Sequence, residues 1–124
     1  SPGMNFMSVT HQAGKVMFGK LPLPVNEAVS RSVAAAGSSN IKLGIRPEFI
    51  TVSNSPEPNS VPIEVVNLQD LGTYSLLSFT LNGQLFKARL PEGHAPVGDA
   101  AHAVFSDQHI ALYVDEYLVE IGHE

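Results

Sequence analysis

An Asn-Gly pair at positions 82 and 83 constrains this chain more than any other feature. The two-residue type I′ turn needs positive φ at both central positions, and Asn followed by Gly meets that need at least cost. Around it, Thr73 to Leu90 reads as two β-strands. The turn pairs position 81 with 84, 79 with 86 and 77 with 88, which sets Phe79 opposite Phe86 and Leu77 opposite Ala88 on one face. Lys87 and Arg89 then point to the other face. A slip by one residue would expose both Phe rings, so turn chemistry and burial specify one register. A chain built on this hairpin must find further strands to cover its apolar face.

Those strands are signalled on both sides. Met4 to Val9 and Lys15 to Phe18 read as short strands around the turn-prone His11-Gln12-Ala13-Gly14, an expected hairpin. Asn26 is placed to cap a helix from Glu27 to Ala36, with Gly37 as its stop and Ala28, Val29, Val33 and Ala36 as an apolar stripe at helical spacing. Ile41 to Ile45 and Phe49 to Val52 are strands, and Ser53 to Ser60 is a polar, Pro-rich loop. Pro91 to Asp99 is a second loop. Ala101, Ala103 and Phe105 alternate with His102 and Val104, and Ser106-Asp107-Gln108 is expected to turn them back into His109 to Val114 as a second hairpin. Tyr117 to Ile121 continues or extends that strand. Many short strands with one short helix describe a small barrel or sandwich, and 124 residues fit one domain, 1–124.

Between two of these strands, Leu43-Gly44-Ile45-Arg46-Pro47-Glu48-Phe49-Ile50 makes a corner. Gly44 permits a close backbone approach or an unusual dihedral, Pro47 ends the ladder for want of an N–H, and an ion pair between Arg46 and Glu48 would pin the turn.

Composition narrows the function. Twelve acidic residues against seven basic give a net charge of −5, which opposes a phosphate backbone and argues against nucleic acid as a partner. With 44% apolar and only 15% charged residues, the chain has surface to spare for neighbours. There is no cysteine, hence no disulfide or thiolate metal site. His11, His94, His102, His109 and His123 show none of the H-x-H, H-x3-H or H-E-x-x-H spacings of a metal site, although the expected hairpin sets His102 and His109 on facing arms. Asp70, Asp99, Asp107, Asp115 and Glu116 offer carboxylates without an apolar pocket to tune any two of them as an acid and base. No Gly-x-Ser-x-Gly elbow is present. Gly14 to Lys20 fits the Gly-x4-Gly-Lys spacing of a phosphate loop, but Leu21 stands where a hydroxyl must reach magnesium, and Pro22 and Pro24 prevent the helix that would hold a phosphate. No catalytic, cofactor or metal residue is expected.

Three segments resemble one family in the same order. Gly44-Ile45-Arg46-Pro47-Glu48 is similar to a hallmark of the C-terminal domain in ATP-binding subunits of bacterial ABC importers, the group typified by the maltose and glycerol-phosphate importer ATPases. Ser1-Pro2-Gly3-Met4-Asn5-Phe6 resembles the junction that follows their ATPase domain, and Glu64 to Gly72 resembles their Val-x-Val-Val-Glu-x-Leu-Gly strand, with Asn67-Leu68-Gln69-Asp70 departing from the usual Glu. Tyr113 to Tyr117 matches the family's ending only loosely and lacks its Gly turn.

The resemblance implies a transport-associated OB (TOBE) domain: an OB-like β-barrel of about seven to nine short strands with one helix. It implies a piece of a longer subunit whose ATP and magnesium are held by a separate nucleotide-binding domain. It further implies a homodimer contact through this domain, permease subunits bound through the ATPase domain, a regulatory protein as a possible further partner, and a cytoplasmic place on the inner face of the plasma membrane. By position, Ile45, Arg46, Pro47, Glu48, Leu71 and Gly72 are the expected dimer or regulatory contacts. The rival reading is a free-standing oxyanion-binding module of the same barrel type, and the reading frame upstream of Ser1 separates the two.

Overall fold

The computed structural model describes residues 3–123. The Asn82-Gly83 turn forms as expected, with φ of 51° and 75°, and joins β8 (Tyr74–Leu81) to β9 (Gln84–Pro91). Leu81 pairs with Gln84, Phe79 with Phe86 and Leu77 with Ala88, the register fixed by turn and pattern together. Phe79 and Phe86 are fully buried and stack at 5.3 Å. Phe86 also meets Phe18 and Phe105, each at 6.1 Å, so one ring gathers aromatics from three other segments.

This hairpin is one half of a five-stranded antiparallel sheet ordered β6-β10-β7-β8-β9, with β6 at Ile50–Ser53, β7 at Val61–Asp70 and β10 at Ala100–Phe105. The edge strands β6 and β9 touch each other, so the sheet curls into a half-barrel. A four-stranded sheet closes over it in the order β1-β5-β11-β12: β1 is Asn5–Ser8, β5 Ile41–Ile45, β11 Ala111–Val114 and β12 Tyr117–Val119. Beside them, β2 (Thr10–Gln12), β3 (Lys15–Phe18) and β4 (Leu21–Pro22) form a small meander. The described residues are mostly β with one α-helix and have an OB-like shape. Strands are more numerous than expected because β2, β4 and β12 are only two or three residues long.

Helix α1, Glu27–Ala34, is capped by Asn26, whose side chain accepts from the Val29 N–H at 2.9 Å. Val29 and Val33 are buried, while the helix ends two residues before the expected Ala36. Gly14 to Lys20 spans the β2–β3 and β3–β4 turns with no helix behind it, so these residues do not form a phosphate cradle.

Two expected pairings are corrected. Met4–Val9 does not turn back onto Lys15–Phe18: β1 pairs with β5, and the hairpin partner of β3 is β2. Nor do β10 and β11 form a hairpin. A 3-10 turn at Asp107–His109 sends β10 into the five-stranded sheet and β11 into the four-stranded one. Tyr117 to Val119 reverses through Asp115-Glu116 and pairs antiparallel with β11. Neither turn residue is Gly, yet their φ values are 52° and 70°.

Candidate functional site

The Arg-Pro-Glu corner follows β5 directly. Pro47 is buried, Arg46 and Glu48 are exposed, and Pro47–Phe49 forms a 3-10 turn closed by Phe49 N–H to Arg46 C=O at 3.0 Å. Among the described residues no ion pair joins Arg46 to Glu48, so the expected charge pin is absent. Packing holds the corner instead. The Phe49 ring lies parallel to the His109 imidazole at 3.7 Å, the Ser106 N–H donates to Phe49 C=O at 3.1 Å, and the Ser106 hydroxyl bonds His109 Nδ1 at 2.9 Å. His109 is therefore a partner of the corner, not of His102, which lies in β10 opposite Ser53.

Leu71 and Gly72 sit elsewhere, at the tip of the β7–β8 hairpin. Leu71 N–H donates to Tyr74 C=O at 2.9 Å, and Gly72, at φ 94°, donates its N–H to Asp70 Oδ1 at 2.9 Å. Only glycine holds that φ without strain. Asn5 ties Ile45 to Lys87 in the middle of β9, whereas Tyr74 pairs with Pro91 at its end. Corner and tip are thus roughly 13 Å or more apart along the strand.

The tip belongs to an open edge. On one side, β10 leaves β7 at the Ala100–Glu64 pair, with a last bond from Val65 N–H to Asp99 C=O at 2.7 Å. A bulge at Val66 follows, and from there to Asp70 only β8 pairs with β7 among the described residues. Antiparallel ladders alternate bonded and non-bonded pairs. The Leu71–Tyr74 bond therefore fixes Gln69 and Asn67 as facing β8, and Leu68 and Asp70 as turning their N–H and C=O groups outward. Val66, Leu68 and Leu71 are 57%, 41% and 43% exposed along this edge. Tyr74, beside it, carries the Arg89 guanidinium 4.0 Å above its ring.

No group of three or more His, Asp or Glu is placed to hold a metal among the described residues. Asp107 accepts the Asn26 N–H at 3.1 Å, and Asp115 accepts the Ser38 hydroxyl at 2.6 Å, which are structural duties. Among the described residues no helix is long and apolar enough to cross a membrane.

A family described as the TOBE domain matches residues 43–112, which takes in the corner, the open hairpin and β10. The chain belongs to the TOBE domain family. A second description, the MalK OB fold domain, matches residues 1–50, so the two together run through the junction, the helix and the corner in the order expected from the sequence. No curated protein matches the chain. A solved structure of the cytoplasmic molybdate-binding protein ModG, with molybdate bound, is similar to this TOBE domain with a TM-score of 0.58 at 13% identity, over 89% of this chain and 94% of that one. That likeness is one of fold.

Neither the corner's stacking partner His109 nor the exposed edge was legible beforehand. His109 lies 60 residues from Phe49, and the openness of β7 depends on where β10 stops.

Proposed function

We propose that this TOBE domain is the regulatory and pairing domain of the ATP-binding subunit of an ABC importer for sugars, polyols or glycerol phosphate. In that reading two copies meet through this domain while the nucleotide-binding portions open and close. A persistent contact of that kind keeps the effective concentration of the other contact high. ATP and magnesium belong to the nucleotide-binding portion, the permease subunits dock there, and the subunit works on the cytoplasmic face of the membrane. A regulatory protein that binds one arrangement shifts the population toward it.

The observation that supports the reading is the open β7 edge. Outward-facing backbone groups at Leu68 and Asp70 beside exposed Val66, Leu68 and Leu71 are what strand addition requires. Leu71 and Gly72 lie at its end; at the corner Ile45 and Pro47 are buried and hold the turn, so the exposed Arg46 and Glu48 would contribute a second contact. Sedimentation velocity of the 124-residue chain over a concentration series is the test. Self-association with Kd in roughly the high-micromolar to millimolar range is expected, and Leu68→Asp with Leu71→Asp should abolish it. Arg46→Glu and Glu48→Arg, mixed and alone, read the corner's share. A chain that stays monomeric throughout, or whose association ignores the β7 variants, refutes the assignment.

The ModG likeness favours a second reading, a free-standing oxyanion-binding module. Saturable binding of molybdate by this chain would support it over the first.

A further inference from the structure

Gly44 is buried directly beneath the side chains that wall a cleft. A Cβ there would lie 2.5 Å from Met4 Sδ, 3.1 Å from Phe6 Cε1 and 3.2 Å from Tyr113 Cε1, so two aromatic side chains close over bare backbone. Phe6 and Tyr113 meet edge to face at 5.4 Å on the outer surface of the β1-β5-β11-β12 sheet. Phe6 remains 43% exposed. The open space beside these rings is about 340 Å³ and is completed by Ser8, Lys42, Gln84 and Glu116. That is the size and mixed lining of a small-molecule site, an apolar wall with a few polar groups converging on it.

We propose that this cleft binds a neutral, hydroxyl-rich small molecule with one flat C–H face, of which a pyranose ring is the type. The rim selects that chemistry. Lys42 Nζ already lies 3.1 and 2.9 Å from the two Glu116 carboxylate oxygens, so the charges cancel within the site. An anion would have to displace Glu116, and a cation would have to displace Lys42. A hydroxyl group accepts from the ammonium and donates to the carboxylate without parting them. Gln84 spends one N–H on Phe6 C=O at 2.5 Å, which leaves its amide oxygen and second N–H for a ligand. No hydrogen bond joins the exposed Ser8 hydroxyl to another described residue. The rings supply the surface for the flat face.

Glu116 reaches the rim through a strained connection. Asp115 and Glu116 both hold positive φ without being Gly, a conformation that persists only when surrounding contacts fix it. Those contacts are Ser38 to Asp115, and Asn40 and Lys42 to Glu116. An Asn-Gly turn would reverse the chain with less strain, but without the carboxylate.

The test is amide and side-chain chemical-shift mapping of the 124-residue chain with D-glucose and cellobiose as probes, against sorbitol, glucose 6-phosphate, glucosamine and adenine. Saturable shifts at Phe6, Gly44, Tyr113 and the Gln84 side-chain amide are expected, with Kd of roughly 0.1–10 mM. Sorbitol, which lacks a ring face, and the two charged sugars should bind at least about tenfold more weakly. Phe6→Ala and Gln84→Ala should each weaken binding about tenfold or more while the amide shifts of β6, β7 and β10, remote from both substitutions, stay in place. Ser8→Ala, at an exposed position, gives a reading if Phe6→Ala perturbs the sheet. No saturable shift up to about 50 mM, shifts confined to another face, or tighter binding of adenine or either charged sugar overturns the proposal. The self-association of the β7 edge is read separately and does not bear on this outcome.

Discussion

Asn5 imitates a strand for Lys87. Its side-chain Oδ1 accepts the Lys87 N–H at 2.9 Å, and its Nδ2 donates to Lys87 C=O at 3.0 Å and to Ile45 C=O at 3.1 Å. One buried amide thus continues the β9 ladder and sews the four-stranded sheet to the five-stranded one beside the Arg-Pro-Glu corner. Replacing it leaves buried backbone groups without partners, each costing about 1–3 kcal/mol. Asn5→Leu should lower stability by roughly 2–4 kcal/mol, read as a lower urea midpoint at unchanged slope. Asn5→Asp should be no better, because a carboxylate can accept from Lys87 but cannot donate to either carbonyl.

Phe86 tests the core in the same way. Its ring touches Phe18, Phe79 and Phe105, which come from β3, β8 and β10, so its loss opens a hole shared by two sheets. Phe86→Ala should cost about 3–5 kcal/mol. Phe86→Leu, which keeps much of the volume, should cost about 1–2 kcal/mol. Equal losses for the two would mean that the site is not tightly packed.

Legibility followed the range of the determining contact. The β8–β9 register was readable because the Asn82-Gly83 turn and the Phe79–Phe86 face are local and agree. The Asn26 cap was readable for the same reason. The β1–β5 pairing was not, since Asn5 and Ile45 are joined across 40 residues and the strand pattern of Met4–Val9 suits a near partner equally well. β10 and β11 alternate as a hairpin would, and only the 3-10 turn between them, with Phe49 stacked on His109, sends them apart. At the candidate sites local pattern is silent: nothing in the sequence around Val66 and Leu68 says that this part of the strand goes uncovered. The cleft draws Phe6, Lys42, Gln84 and Tyr113 from four distant segments, and no local signal joins them.

Gly44 sits beneath a lid that can partly give way. The nearest atom to an added Cβ, Met4 Sδ at 2.5 Å, is near the end of a flexible side chain, whereas the Phe6 and Tyr113 ring atoms at 3.1 and 3.2 Å must shift by a few tenths of an ångström. Gly44→Ala should therefore cost about 1 kcal/mol, and Gly44→Val about 2–3 kcal/mol, by overpacking. Met4→Ala placed on top of Gly44→Ala should return part of the loss in a double-mutant cycle. Strict additivity of the two changes would show that Met4 does not crowd this position.

Glu116 sets an acid-range dependence whose sign is fixed by its partners. The Asn40 side-chain amide, then the Lys42 hydrogen bond and charge, hold its carboxyl below the ordinary value of 4.5. A group with a lowered folded pKa contributes stability that is fully present above its unfolded value and is lost as pH falls through the folded one. The stability difference between the native chain and Glu116→Gln should accordingly be constant near neutrality and shrink in acid, over a window that begins near 4.5 and extends below it. Carboxyl-detected titration gives the pKa directly, and Asn40→Ala and Lys42→Met should each raise it part of the way. Salt separates the two contributions, because added ions screen the charge of Lys42 but leave the Asn40 hydrogen bond in place. At high salt the Lys42→Met effect should fall while that of Asn40→Ala persists, and the reverse ranking would mean that the ammonium, not the amide, chiefly fixes the carboxylate at the cleft rim.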